Sequence, residues 1–342
     1  MSKVASASAP GKVILFGEHA VVYGRPAIAV PVTQVQATAT VRAPRRSSEQ
    51  AGDRCPEPTR GGGLTIHAPN LGRTFTVDPT DANDPLAVAV VSTLRHLGVG
   101  FEHNLSIHVE STIPVGRGLG SSAAVSAALV QAVARYFDTD PSTGTVLSSS
   151  KGSGQGLSPA QVSRLVYETE VIYHGTPSGI DNTVVAFGRP VYFVRDQIME
   201  RFDVGRPMYL VIADTGIMTP TRETVGDVRA GWQRDPDRYE ALFDEIGAIV
   251  CAARTAIAEG DLVEVGRLMD ENHARLCQLA VSSDELDRLV YAARGAGAMG
   301  AKMSGGGRGG NMVAIAMPWA VEDVVEALRR AGAVGVIETV VQ

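Results

Sequence analysis

Two carboxylates, one lysine and two glycine-rich stretches carry the chemistry available to this chain. The densest run is Pro114-Val115-Gly116-Arg117-Gly118-Leu119-Gly120-Ser121-Ser122-Ala123-Ala124. It stands between an alternating stretch, Leu105 to Ile113, and an apolar helical stretch, Ala123 to Tyr136. That order reads as strand, glycine loop and helix N-terminus. Such a turn aims backbone N–H groups at one spot, where the helix dipole also favours negative charge, so Gly116, Gly118 and Gly120 suit phosphate. The hydroxyls of Ser121 and Ser122 suit phosphate oxygens or a hard cation such as Mg²⁺. The structural alternative is a glycine turn closed by a serine cap. No Lys-Ser or Lys-Thr follows the last glycine, and no strand-borne GxGxxG precedes a ribose carboxylate, so the two commonest nucleotide fingerprints are absent.

Glu170 and Asp181 are the carboxylates of interest. Asp181 sits in a turn punctuated by Pro177, Gly175 and Gly179. Phosphoryl transfer to an alcohol needs a carboxylate near the hydroxyl and positive charge on the moving group. Asp181 meets the first need and Lys12, entering a strand in Ala9-Pro10-Gly11-Lys12, meets the second. A helix N-cap is the structural alternative for Asp181. Glu170, one helix earlier, would complete a Mg²⁺ site with a loop serine; its alternative is a solvated helix carboxylate. In Gly305 to Gly310 only Arg308 has a side chain, so a ligand or another segment can approach the backbone closely. Lysine occurs only at positions 3, 12, 151 and 302, and two of those four fall in these motifs.

The elements that must hold these groups follow in order. Strands are expected at Val13 to Phe16 and Ala27 to Val32, around Gly17-Glu18-His19, and another at Gln34 to Ala43. Further strands are expected at Leu64 to Ala68 and Thr74 to Val77, and a helix at Pro85 to Leu97. Ser158 caps a helix running from Pro159 to Tyr173. A hairpin-like stretch lies between Pro190 and Val204, and composition resets near Gly205, placing a boundary between domains 1–205 and 206–342. The second half reads β-α-α-α-α-β-β-α-β, an α+β layer sandwich. Residues 44–63 read as a long surface loop, and 138–156 as a flexible connection rich in Ser, Thr and Gly.

Composition narrows the function classes. With 342 residues, 44% hydrophobic, 20% charged and a net charge of −6, the chain is an ordinary globular protein of mildly acidic balance. That balance, without a basic cluster, argues against nucleic acid. No apolar run reaches bilayer length and the start lacks a signal-like pattern, which points to the cytoplasm and away from membranes. Cys55, Cys251 and Cys277 have neither disulfide nor zinc spacing.

Three of these motifs, in order, resemble the GHMP kinases. Pro10 to Gly24 resembles their first motif, Pro114 to Ala124 their phosphate loop, and Lys302 to Gly310 their third, glycine-rich motif. Gly17-Glu18-His19-Ala20-Val21-Val22-Tyr23-Gly24, together with His174 to Asn182, is most similar to the mevalonate kinase branch. The resemblance implies a ribosomal-S5-like N-terminal domain, a ferredoxin-like C-terminal α/β sandwich, and ATP-dependent phosphorylation of the 5-hydroxyl of (R)-mevalonate. It implies Asp181 as base and Lys12 as the group that lowers the hydroxyl pKa. Ser122 and Glu170 would hold Mg²⁺, with Ser121, Gly306 and Gly307 joining the nucleotide site. Glu18 and His19 would line the mevalonate pocket, over which the Thr219 to Thr221 region would close, Thr221 making contact. Family members are often homodimers. The third loop departs from the family pattern at Arg308. A sibling kinase acting on phosphomevalonate, homoserine or galactose is the alternative, and a non-catalytic metabolite sensor on the same fold is a further one.

Overall fold

The computed structural model describes residues 3–43, 63–138, 156–175, 177–195, 197 and 199–342. Its contacts divide into two compact units, and neither follows the chain in one run. The first comprises Met1–Ala9, Gln36–Thr112 and Ser122–Pro177; the second comprises Pro10–Val35, Ile113–Ser121 and Ser178–Gln342. The expectations for residues 44–62 and 139–155 lie outside the described residues.

Strands β1 (Val4–Phe16) and β2 (Ala27–Arg42) each contribute to both units. The first unit adds β3 (Leu64–Ala68), β4 (Arg73–Thr76), α1 (Pro85–Leu97) and β5 (Leu105–Ser111), then most of α2 (Ser121–Asp138) and all of α3 (Pro159–His174). Within it β4 pairs antiparallel with β3, β3 parallel with β5, and β5 antiparallel with Ala37–Arg42 of β2. Alternation explains the sheet: Leu105, Ile107 and Val109 are buried while Ser106 and His108 between them are half-buried. α2 buries twelve side chains, seven of them alanine or serine, so it fits among close neighbours. α3 is opened by a capping box in which Ser158 and Gln161 satisfy each other's backbone, with Pro159 at the first helical position.

The second unit holds α4 (Ile180–Phe187), β6 (Val191–Phe193), β7 (Glu200–Arg201), β8 (Met208–Asp214), α5 (Thr221–Arg234), α6 (Pro236–Glu259), α7 (Leu262–Gln278), α8 (Asp284–Gly295), β9 (Gly300–Ser304), β10 (Asn311–Ala316), α9 (Val321–Arg330) and β11 (Gly335–Val341). β11-β8-β10-β9 form an antiparallel sheet in that order. Every residue of β9 and β10 is buried. From β8 onward the element order is the one read from the sequence. β2 runs unbroken from Ala27 to Arg42, through Thr33, where the sequence reading ends one strand and starts another. Its Ala27–Ala29 segment pairs with β6 and its Ala37–Arg42 segment with β5, so the stretch carrying Pro31 owes no N–H to either ladder. No helix among the described residues is long and apolar enough to cross a membrane.

Candidate active site

Lys12 lies on β1 with its side chain 5% exposed, and its Nζ stands 3.1 Å from Asp181 Oδ1. Asp181 is in the first turn of α4, and its side chain keeps 29% of its surface open. The cap position of that helix is Gly179, in the left-handed region and without a side-chain cap bond. Asp181 is therefore committed to the lysine and not to capping.

The phosphate loop rests on the same lysine. Lys12 N–H donates to the carbonyl of Leu119 at 2.9 Å. A Cβ on Gly120 would stand 2.8 Å from Lys12 Cγ, and Gly120 has φ +70°, so only glycine fits both the turn and the contact. Gly116 and Gly118 share this left-handed conformation. Ser121, half-buried, opens the 18-residue helix α2, whose N-terminus favours an anion.

Glu18 and His19 belong to the turn after β1 and are both buried. Glu18 forms an ion pair with Lys302 of β9, each side chain 0% exposed. Lys302 Nζ also donates to the carbonyl of Met303 at 2.7 Å. Burial pushes the Glu18 carboxyl up and the Lys302 ammonium down, and their mutual attraction opposes both shifts. Lys302 stands in the third motif with no role expected from the sequence; a lysine inside an apolar strand is itself the signal of a buried partner.

His19 has φ 61°, a left-handed backbone unusual for a residue with a Cβ. Its Nε2 lies 3.1 Å from the carbonyl of Gly306. A carbonyl only accepts, so Nε2 carries the proton. Burial, reinforced by Arg308 and Lys302, lowers the His19 pKa to about 4, so the ring is neutral at physiological pH. Ser304 Oγ completes the join by donating to the carbonyl of Ile14 at 2.8 Å.

The third glycine loop is laced to the connection between β8 and α5. Thr219 Oγ1 donates to Arg308 O at 2.7 Å, Gly310 N–H to Ile217 O at 2.8 Å, and Thr215 N–H to Gly310 O at 2.9 Å. Gly306 packs on Thr221, whose Oγ1 would stand 2.8 Å from an added Cβ. At Gly307, with φ +81°, an added Cβ would meet Val281 O at 1.9 Å. Arg308 takes a left-handed φ of 56°, pairs with Asp227 of α5 and donates through Nε to Ala280 O at 3.2 Å. Its guanidinium thus serves as a latch on the loop.

The second unit so brings together Lys12, Asp181, Glu18, His19, Gly116, Gly118, Gly120, Ser121, Gly306, Gly307 and Thr221. Ser122 and Glu170 belong to the first unit. There Glu170 is buried on α3, with His174 Nε2 3.5 Å from its Oε2. Ser122 is half-buried in the first turn of α2.

Among the described residues one other cluster has metal-ligating types: His273, Cys277 and Asp287. His273 Nδ1 accepts from Met303 N–H at 3.3 Å, so Nε2 bears the proton and faces Asp287 at 3.2 Å. A metal at Nε2 would need that tautomer reversed against a backbone donor. The cluster is a hydrogen-bonded brace for β9.

Two family models match the chain: the GHMP kinases N terminal domain over residues 85–189 and the GHMP kinases C terminal model over 253–334. A protein named mevalonate kinase from Pyrococcus abyssi is 34% identical over 97% of this chain and 94% of its own length. The crystal structure of L. major mevalonate kinase in complex with R-mevalonate superposes with a TM-score of 0.76, at 28% identity, covering 100% of this chain and 96% of that one. The Methanococcus jannaschii mevalonate kinase structure, at 21% identity, agrees in fold with a TM-score of 0.77, covering 97% of this chain and 96% of that one. Identity sustained over the full length, on top of both domain models, places the chain: it belongs to the GHMP kinases, within the mevalonate kinase family.

Proposed function

We propose that this chain transfers the γ-phosphoryl group of ATP to the 5-hydroxyl of (R)-mevalonate. The observation that carries the reading is the contiguity of three groups. A partly open carboxylate, Asp181, contacts a buried cation, Lys12, and the stem of that cation supports Gly120 of the phosphate loop. In the proposed reaction Asp181 accepts the proton of the 5-hydroxyl, and the freed oxygen forms its bond to the γ-phosphorus as the bond to the ADP oxygen breaks. The Lys12 ammonium stabilises charge on the alkoxide and on the moving phosphoryl group. Residues 116–122 hold the phosphates through backbone N–H groups and serine hydroxyls. His19 and Thr221 are proposed to line the mevalonate pocket, with Glu18, expected there from its motif but sealed against Lys302, supporting the turn from behind, and with Gly306 and Gly307 forming the neighbouring wall on the nucleotide side.

A divalent cation fits the donor chemistry of the first unit, where Glu170 supplies a buried carboxylate and Ser122 a hydroxyl, both hard oxygens. Those two residues would hold Mg²⁺, which when bound supplies charge neutralisation on the nucleotide phosphates. The proposed division into 1–205 and 206–342 has the two family models falling on either side of residue 205. From the family resemblance we also infer a homodimer, a state that light scattering on a sizing column reads directly, and from the sequence pattern a cytoplasmic location.

The test is ADP release from Mg-ATP with (R)-mevalonate, run beside phosphomevalonate, homoserine and galactose, with ³¹P NMR on the product. Turnover confined to mevalonate and a 5-phosphate product are expected. Turnover on another alcohol alone would move the substrate to a sibling kinase, and silence on all four would favour the sensor.

A further inference from the structure

The phosphate loop carries one charged side chain, Arg117, and it is not free to meet phosphate as a loose cation. Its Nε stands 3.1 Å from Asp214 Oδ2, with both side chains mostly buried. Its carbonyl accepts a hydrogen bond from Asn311 Nδ2. Asp214 closes β8 and Asn311 opens β10, and the two are directly opposite each other in the antiparallel ladder. One residue of the loop is therefore gripped twice, by side chain and by backbone, from a single cross-strand pair.

That pair stands where the other site loops begin. Asp214 Oδ1 accepts from Gly216 N–H at 2.8 Å, which starts the connection to α5. Asn311 follows the third glycine loop without a gap. Over Gly116, the Sδ of Met218 from that same connection would lie 3.3 Å from an added Cβ. The guanidinium is not arranged for stability alone, because Arg117 Nη1 is buried with no hydrogen-bond partner among the described residues.

From this geometry we infer that Arg117 is a positioning residue for nucleotide binding: with Asp214 and Asn311 it sets the height and register of the phosphate loop against the third glycine loop. The inference rests on the reading of residues 116–122 as the ATP phosphate loop. A bidentate-capable, always-charged side chain anchored to a rigid strand end fixes a loop that would otherwise lose backbone entropy on every binding event. The energy of that fixation belongs to ATP and not to mevalonate.

The experiment is steady-state kinetics on the full chain with Arg117→Ala, Arg117→Lys and Asp214→Asn, each checked by thermal melting. Expected is a rise in KM for Mg-ATP of about 10- to 100-fold in Arg117→Ala, with KM for mevalonate within about twofold of the parent. Arg117→Lys keeps the charge without the planar fork and falls between the two. Asp214→Asn, which keeps an oxygen for Gly216 N–H, matches Arg117→Ala and adds little to it in the double variant. Should Arg117→Ala fail to fold, Asp214→Asn carries the same test. Unchanged KM for ATP in these variants, or an equal loss for both substrates, overturns the inference. A parent protein that binds no Mg-ATP in calorimetry overturns the kinase reading itself, a result visible before any variant is made.

Discussion

Two lysine–carboxylate pairs stand on the same first motif and its partners, and they differ in almost every physical respect. Lys12–Asp181 is an open pair at 3.1 Å, with Asp181 29% exposed. Glu18–Lys302 is sealed, with both side chains at 0%. An ion pair meant to exchange a proton with a substrate must leave its carboxylate reachable. An ion pair meant to join two segments need only satisfy its own charges, and inside the protein that demand is severe. The difference separates a carboxylate that solvent reaches from one that it does not.

The comparison is broken first at the open pair. Asp181→Asn, nearly isosteric, should lower turnover by about 10²- to 10⁴-fold while leaving ATP affinity and melting temperature close to the parent. Retention of near-normal turnover would remove Asp181 as the base. The sealed pair should behave the opposite way. Lys302→Met strands the buried Glu18 carboxylate and is expected to cost about 3–5 kcal/mol in urea unfolding. Adding Glu18→Gln to Lys302→Met should recover much of that loss, because the neutral amide no longer needs a cation; a double variant as unstable as the single would argue against this account.

His19 sharpens the contrast through pH. Its pKa falls from about 6.5 unfolded to about 4 folded, so the unfolded chain binds more protons between those values. The contribution is complete above pH 6.5 and is lost as pH falls through 4, at about 3 kcal/mol in total. His273, lowered to about 4 as well, adds to the same window. His19→Gln should therefore flatten, without abolishing, the acid limb of stability measured between pH 7 and 4.5. The smallest effect belongs to the exposed Arg308–Asp227 latch. Arg308→Ala should cost less than about 1 kcal/mol, and high salt should erase most of it.

Much of this was legible beforehand, for identifiable reasons. The glycine loop was legible as strand, glycines and helix start, with a capped turn as its structural alternative, Asp181 by its Pro- and Gly-punctuated turn, and Lys12 as a lysine entering a strand. The β-α-α-α-α-β-β-α-β order followed from clean periodicity. What stayed hidden was pairing at long range. Nothing in the spacing of Glu18 and Lys302 says they meet, and Asp214 and Asn311 look like ordinary strand ends until the ladder sets them opposite each other. The division of β2 at Thr33 has the same cause: one strand serves β6 with its first residues and β5 with its last, and sequence alone does not show that the two pairings share a strand.

The interleaving of the second unit has a consequence for biosynthesis. Its first segment, Pro10–Val35, waits on the last part of the chain for some of its partners: Lys302 meets Glu18 across 284 positions, and His19 meets Gly306 across 287. At about 5–20 residues per second, a ribosome needs roughly 15 to 60 seconds to deliver β9 after Glu18 has emerged. For that interval Glu18 and His19 lack the partners that meet them in the folded unit. Folding of this unit cannot proceed vectorially from the N-terminus, and its rate at the ribosome is bounded by translation and not by the search for contacts.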